Sequence, residues 1–257
     1  MSAVAAIFDL DGVVVAPGTF SVPQDVSGSL ATAVTLNFIV SGRGLERCSR
    51  IGEQMGTIHG VFAENGPLYR LRGRDVVCAA DESALDEFRD AVGMRLVGER
   101  EAVIEIDGRS CRIGLEPKRT IISFEPGPSC AWSPAQLAEK LSDLVRACRL
   151  RAQIIGPLHD GGIDVQPFSI DGFPLNKGIT VDVVQTEFPE IERVFALIDG
   201  KNDRPLAEHP RVFPITFRNG DRGIQDIVSR RGGWIIDQVG YLGGCAEAIR
   251  RISTFCV

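Results

Sequence analysis

Strand-like and helix-like segments alternate at both ends of this chain of 257 residues, and that alternation limits the fold more than any other feature. The buried-strand patterns at the amino end are separated by helical patterns and cover 3–8, 36–40 and 58–63. The alternation returns after residue 176, with further strands predicted at 194–199, 212–217 and 234–236. Strands that alternate with helices in this way form parallel sheets whose two faces are covered by helices.

The middle of the chain has a different pattern. A helical segment is followed by a predicted hairpin with an Asp107-Gly108 turn, and Ser133-Pro134 has the residue types of a helix start. The order helix, strands, helix, strands predicts an antiparallel sheet with its helices on one face. We therefore predict an α/β protein in which a parallel, Rossmann-like core (1–79 plus 173–257) is interrupted by an α+β insertion (80–172).

The composition is that of a globular protein and argues against several classes of function. Hydrophobic residues make up 44% of the chain, which is enough for a large core, and the formal net charge is −6. Nonspecific binding to nucleic acid or to a membrane surface requires basic patches, so we expect neither. No apolar run approaches the roughly 20 residues that a membrane span needs.

The cysteines and the first residues indicate a cellular location. The seven cysteines are scattered, without a CxxC pair, so we expect neither a disulfide framework nor a zinc site. Such usage is typical of a reducing compartment. The first segment is apolar but has no cationic leader, so we expect no secretory signal. Together these features predict a cytoplasmic protein.

Two carboxylates stand directly after the first predicted strand, in Asp9-Leu10-Asp11-Gly12. Open parallel sheets place their ligands at this end of the strands. Two carboxylates at this spacing can share a hard cation, or divide the roles of nucleophile and acid–base group. A polar turn remains the alternative for this motif alone. A calcium loop of the EF-hand type fails on spacing, because Val14 and Phe20 replace the required Gly and Glu.

Three further polar groups fall on strand ends or a helix start of the same predicted sheet. Ser41-Gly42-Arg43 follows a strand and offers a hydroxyl and backbone N–H groups to a phosphate, although a turn with a helix cap has the same pattern. Lys177 stands at a predicted helix start, where the helix dipole disfavours a cation unless an anion binds there; an exposed lysine is the alternative. Asp199-Gly200-Lys201-Asn202-Asp203 is a second acidic cluster or an Asp-Gly turn.

In this order, these groups resemble the four motifs of the haloacid dehalogenase (HAD) superfamily of phosphotransferases. Residues 9–12 resemble the first motif, 41–43 the second, Lys177 the third and 199–203 the fourth. Glu64-Asn65-Gly66 is similar to a signature of the subgroup that carries a large cap between the second and third motifs.

The resemblance implies a HAD-type core with an α+β cap at 80–172, similar to the sugar-phosphatase branch. That branch includes trehalose- and sucrose-phosphate phosphatases, phosphomannomutase and the Cof-type hydrolases. The resemblance implies a Mg²⁺-dependent phosphomonoester hydrolase that acts through an aspartyl phosphate on a small phosphorylated metabolite, with a sugar phosphate expected. A phosphosugar mutase is the alternative. A catalytically silent binding protein would be expected to lose a motif residue, and none is lost.

The resemblance also implies a role for each matched residue. Asp9 is the expected nucleophile, and Asp11 the group that protonates the leaving oxygen and then accepts a proton from water. Ser41 and the backbone at Gly42 are expected to hold phosphoryl oxygens, and Lys177 to neutralise charge beside the nucleophile.

Metal and substrate contacts complete the expected site. The implied magnesium ligands are Asp9, the main-chain carbonyl of Asp11, and Asp199 together with Asp203 or Asn202. Further candidates for substrate contact are Arg43, Asn202, Glu116 and Lys118. Glu116 and Lys118 are similar to a Glu-x-Lys element of trehalose-phosphate phosphatases, which makes trehalose phosphate one candidate substrate. A surface pair on a strand is the alternative for these two residues.

Overall fold

The computed structural model describes residues 3–33, 35–74, 76–116, 118–158 and 161–255. The chain separates into two compact units. Residues 1–77 and 176–257 form the first unit, and residues 78–175 form the second. Within the described ranges, no helix has the length and hydropathy that a membrane crossing requires.

The first unit contains a mostly parallel sheet. Its strands are β1 (Ala3–Phe8), β2 (Leu36–Val40), β3 (Gly60–Ala63), β4 (Leu68–Leu71), β5 (Val77–Cys78), β12 (Ile191–Leu197), β13 (Val212–Phe217) and β14 (Trp234–Ile236). They lie in the order β14-β13-β12-β1-β2-β3-β4-β5. The pairs from β14 to β3 are parallel, and β4 runs antiparallel to β3.

Helices connect these strands and bury both faces of the central ones. The helices are α1 (Gln24–Ala31), α2 (Leu45–Met55), α5 (Ile179–Glu187), α6 (Arg204–Glu208), α7 (Arg222–Arg230) and α8 (Cys245–Phe255). Ala5 and Ile7 of β1 share one hydrophobic cluster with Val181 and Val184 of α5. Every residue of β1 from Val4 onward is buried, which explains why this strand reads as an uninterrupted apolar run.

The second unit contains an antiparallel sheet with the order β10-β11-β9-β8-β7-β6. Its elements are α3 (Ser83–Ala91), β6 (Arg95–Gly98), β7 (Glu101–Ile106), β8 (Arg109–Glu116), β9 (Ile122–Pro126), α4 (Pro134–Ala147), β10 (Ala152–Ile155) and β11 (Ile163–Pro167). Phe88 of α3 and Leu141 of α4 share one hydrophobic cluster with Ile104 and Phe124 of the sheet. An α+β unit is therefore present within the α/β chain, and the predicted fold class is confirmed.

Local residue chemistry explains several of these boundaries. Asp107 and Gly108 have φ angles of 52° and 69°, as a two-residue hairpin turn of the predicted kind requires. The hydroxyl of Ser133 accepts a hydrogen bond from the backbone N–H of Gln136. The side-chain oxygen of Gln136 accepts the backbone N–H of Ser133 in turn, so α4 begins with a capping box. Helix α5 begins at Ile179, so Lys177 lies just before the helix and not in its first turn as the sequence predicts.

One expectation about the cysteines is wrong. Cys111 of β8 and Cys130, which precedes α4, form a disulfide bond within the second unit. The two cysteines are 19 residues apart, so no short motif such as CxxC marks them in the sequence. The antiparallel pairing of β8 with β9 brings them together. In that pairing Ile113 lies opposite Pro126, so the chain returns toward Cys111 just before residue 130.

Candidate active site

The segment after β1 is a tight turn that presents two carboxylates at the carboxyl end of the sheet. The backbone N–H of Asp9 still donates to Leu197 O of β12 at 3.0 Å, so the position of Asp9 is fixed by the sheet. Leu10 is fully buried, and its carbonyl accepts the N–H groups of Val14 and Val15, both at 2.9 Å. This turn anchors Asp9 in the interior, while the side chain of Asp11 remains partly exposed.

A buried ion network joins Asp9 to two motifs that are distant in sequence. Lys177 Nζ lies 2.9 Å from Asp9 Oδ1 and 2.6 Å from Asp203 Oδ1. Lys177 is 1% exposed and Asp203 is 0% exposed. Lys177 precedes α5 and Asp203 follows β12, the strand next to β1. The structure therefore brings the predicted first, third and fourth motifs into direct contact.

Asp203 organises the turn that carries Asp199. Its Oδ2 accepts the backbone N–H groups of Asp199 and Gly200, both at 3.0 Å. Asn202 lies in the same short turn, partly buried, and its Oδ1 would be 2.6 Å from a Cβ atom placed on Gly200. The sequence predicts either an acidic cluster or an Asp-Gly turn at residues 199–203. The structure shows both, because the turn carries two carboxylates of the cluster.

The cluster has an excess of negative charge. Burial, reinforced by the carboxylate of Asp203, raises the pKa of Asp9 to about 7. Burial, reinforced by Asp9 and Asp203, raises the pKa of Asp199 to about 9. Burial alone would lower the pKa of Lys177, but the charges of Asp203 and Asp9 outweigh it and raise that pKa. One ammonium group therefore stands against three carboxylates.

These residues fit a divalent cation. The ligand atoms of Asp9, Asp199 and Asp203 all lie within 4.8 Å of one another. All three supply carboxylate oxygen, the donor that Mg²⁺ prefers. The raised pKa values of Asp9 and Asp199 show that further positive charge would stabilise the ionised cluster. Within the described part of the chain, this is the group of potential ligands that meets these distances.

Ser41 and Gly42 follow β2, the other neighbour of β1 in the sheet. Ser41 is buried, and its Oγ accepts the N–H of Arg43 at 3.2 Å. A turn from the next strand holds this segment: the N–H of Asn65 donates to Ser41 O at 2.9 Å, and that of Glu64 to Arg43 O at 3.0 Å. Backbone hydrogen bonds from Glu64 and Asn65 thus hold residues 41–43 in position.

Arg43 does not point freely toward solvent, because its guanidinium group pairs with Asp11. Arg43 Nε lies 2.8 Å from Asp11 Oδ2, and a terminal nitrogen lies 2.5 Å from Oδ1, a two-point arrangement. The same guanidinium donates to Thr19 O at 2.7 Å and lies over the ring of Phe20. Arg43 therefore fixes the orientation of the Asp11 carboxylate in this structure.

Glu116 and Lys118 lie in the second unit and contact each other. Lys118 Nζ is 2.9 Å from Glu116 Oε2 and 2.6 Å from Ser123 Oγ. Asp164 is 3.6 Å from the same ammonium nitrogen. The side chain of Lys118 is only 5% exposed, so the pair is part of a polar network inside this unit and not a surface pair.

Sequence reasoning did not identify Asn219, which follows β13. Its side-chain amide nitrogen lies 2.9 Å from Gly12 O and 3.2 Å from Asp199 Oδ2. Asn219-Gly220 is a common turn pattern after a strand, so its residue types carry no signal of a role in the site.

This chain is similar to known proteins in its fold. No protein-family model matches it, and no curated protein sequence matches it either. Among solved structures, a phosphatase of the haloalkanoate (HAD) enzyme superfamily from Bacteroides thetaiotaomicron shares 15% sequence identity at a TM-score of 0.66, with 98% of this chain and 95% of that chain covered.

Two other solved structures carry names that state a substrate. The sucrose-phosphatase from Synechocystis, in complex with sucrose and phosphate, shares 15% identity at a TM-score of 0.64, with 98% of each chain covered. The trehalose-6-phosphate phosphatase from Aspergillus fumigatus shares 19% identity at a TM-score of 0.61, with 98% of this chain and 94% of that chain covered. The chain therefore has the fold of the HAD superfamily, in the form found in these sugar-phosphate phosphatases.

Proposed function

We propose that this protein is a Mg²⁺-dependent phosphomonoesterase that forms an aspartyl phosphate on Asp9, with a small phosphorylated metabolite, a sugar phosphate, as substrate. The observation that carries the proposal is the contact of buried Asp9 with Lys177, inside a cluster completed by Asp199 and Asp203. The HAD fold supports it, because the solved structures of similar fold include phosphatases of sucrose phosphate and trehalose phosphate.

In the proposed reaction, a carboxylate oxygen of Asp9 attacks phosphorus and the bond to the leaving oxygen breaks. Asp11, which must carry a proton at this stage and so be released from its two-point contact with Arg43, gives that proton to the leaving oxygen. Water then attacks the phosphorus of the acyl phosphate, Asp11 accepts a proton from the water, and the carboxylate of Asp9 leaves. Lys177 neutralises charge beside Asp9, and Ser41 with the backbone of Gly42 holds phosphoryl oxygens. Positioning and charge neutralisation are what phosphoryl transfer mainly requires.

The metal site follows from the carboxylate cluster. Asp9, Asp199 and Asp203 would hold Mg²⁺, as their common oxygen chemistry and excess charge favour. When bound, the ion would supply positive charge against phosphoryl oxygens. Asp203 already accepts three hydrogen bonds from Lys177, Asp199 and Gly200, so it also holds the turn in place.

A panel of phosphorylated sugars and other small phosphate esters tests the proposed function. Phosphate release is expected in the presence of Mg²⁺. The activity is expected to disappear after chelation by EDTA and to recover when Mg²⁺ is restored. A mutase would instead convert one sugar phosphate to another without net release, which analysis of the sugar products by NMR would reveal. Release at an unchanged rate after complete chelation would contradict the metal assignment.

Gly12→Ala tests the close packing at the centre of the site. Gly12 has φ of 79°, and a Cβ atom there would lie 1.8 Å from Asp199 Oδ2, so the carboxylate must move. We expect phosphatase activity to fall by about 100-fold, because a misplacement of about 1 Å in an active site can cost that much even when the displaced group, here a proposed metal ligand, does not itself react. Initial rates at saturating Mg²⁺ measure this effect.

Gly73→Ala is the matched control for that variant. Gly73 has nearly the same backbone angle, with φ of 72°, but among the residues that the structure describes, a Cβ atom there would meet no atom within 4 Å beyond its chain neighbours. Both variants pay about 1 kcal/mol or more for an L residue in the left-handed region. Only Gly12→Ala is expected to lose activity. Equal activities of the two variants would show that activity does not depend on the close approach of residue 12 to the Asp199 carboxylate.

A further inference from the structure

Asn219 connects three backbone segments around the carboxylate cluster. Its Nδ2 donates to Gly12 O at 2.9 Å and to Asp199 Oδ2 at 3.2 Å. Its Oδ1 accepts the backbone N–H of Gly240 at 2.9 Å. One side chain thus joins the turn after β1, the turn after β12 and the segment that precedes α8.

The chemistry of its partners fixes which way the amide points. Gly12 O can only accept a hydrogen bond, and the N–H of Gly240 can only donate one. The NH₂ group must therefore face Gly12, and its second hydrogen is then available to the carboxylate of Asp199. A side chain with two donors and one acceptor in one plane satisfies all three partners, which neither a carboxylate nor a hydroxyl does.

The segments that Asn219 joins are already in close contact. A Cβ atom on Gly240 would lie 2.4 Å from Gly12 O, so the backbone of residue 240 touches the turn that follows Asp9. The main-chain carbonyl of Asp199 accepts the N–H of Asp221 at 2.8 Å. The backbone of Asp199 is therefore held independently, and Asn219 acts on the orientation of its carboxylate.

We propose that Asn219 is a positioning residue that orients the carboxylate of Asp199 for cation binding and keeps it in register with the turn carrying Asp9. The identification of the cation as Mg²⁺ rests on the proposed function. Hydrogen-bond partners of metal ligands typically change metal affinity 10- to 100-fold when they are removed. The effect of Asn219 is expected in the affinity for the cation and not in the rate of the chemical step.

Direct cation binding provides the test. Mn²⁺, an oxygen-preferring substitute for Mg²⁺, is titrated into metal-free protein, and free Mn²⁺ is measured by electron paramagnetic resonance. We expect Asn219→Ala to raise the dissociation constant at least tenfold relative to the wild type. Arg218→Ala, which changes the exposed neighbour in the same loop, is expected to leave it unchanged. Asn219→Ser is a second variant with the same expected loss, because one hydroxyl cannot reach three partners.

A kinetic measurement separates positioning from a general loss of structure. In Asn219→Ala, the Mg²⁺ concentration for half-maximal activity is expected to rise about tenfold, with kcat at saturating Mg²⁺ little changed. The metal-free variant is expected to melt in one cooperative transition, at a lower temperature than the wild type because three hydrogen bonds are lost. Equal Mn²⁺ affinities of Asn219→Ala and the wild type would overturn the proposal, and so would a wild-type protein that binds no Mn²⁺. A tenfold loss of Mn²⁺ affinity in a protein that hydrolyses no phosphate ester would support the role of Asn219 while refuting the proposed function.

Discussion

Asp9→Asn is expected to lower phosphate release by about 10⁴-fold or more, because an amide cannot act as the nucleophile that forms an acyl phosphate. The substitution preserves the size of the side chain and leaves the surrounding turn intact. The far-ultraviolet circular dichroism spectrum is therefore expected to match that of the wild type. Initial rates on the best substrate of the panel, at saturating Mg²⁺, measure the effect.

Asp226→Asn is the control for that measurement. Asp226 is an exposed residue of α7. Asp226→Asn therefore makes the same chemical change, from carboxylate to amide, outside the carboxylate cluster. Its activity is expected to equal that of the wild type. Turnover of Asp9→Asn within tenfold of the wild type would contradict the assignment of Asp9 as nucleophile.

Lys177→Met is expected to lower the free energy of unfolding of the metal-free protein by about 3–5 kcal/mol and to abolish activity. Methionine fills a similar volume, but Asp9 and Asp203 lose their shared counter-charge while both carboxylates stay buried. Urea unfolding measures the loss. Added Mg²⁺ is expected to restore part of the stability, because a ligand that binds the folded state alone stabilises it.

Lys201→Met serves as the matched control. Lys201 lies in the same acidic turn, but its side chain is 82% exposed, and Asp221 is 4.0 Å from its ammonium nitrogen. Substitutions of exposed residues of this kind usually change stability by less than about 0.5 kcal/mol. If both lysine variants lost the same stability, the buried network would not be the source of the effect.

The central strands could be predicted because their chemistry is local. β1, β2, β13 and β14 begin and end at the predicted residues. In β1, β2 and β13 nearly every residue is buried, and a strand covered on both faces reads as a continuous apolar run. The polar groups at the strand ends were predictable for the same reason. Parallel strands bring their carboxyl ends to one edge, so Asp9 and Asp199 had to lie near each other once β1 and β12 were neighbours.

Contacts between distant segments could not be predicted. Asn219 is an exposed turn residue by type, and its role depends on the meeting of the turns after β1, β12 and β13. The pairing of Arg43 with Asp11 depends on how the second motif faces the first. The disulfide between Cys111 and Cys130 depends on the register of β8 with β9. Each of these is set by tertiary packing and leaves no periodic pattern in the chain.

The acyl phosphate itself provides the most direct test of the account. The protein is mixed with its best phosphorylated substrate and Mg²⁺, quenched in acid during turnover, digested and analysed by mass spectrometry. One phosphoryl group is expected on the peptide that contains Asp9, and none in Asp9→Asn. Samples are quenched from the first turnover onward at saturating substrate. Rapid release of phosphate without any phosphorylated Asp9 in these samples would contradict the proposed mechanism.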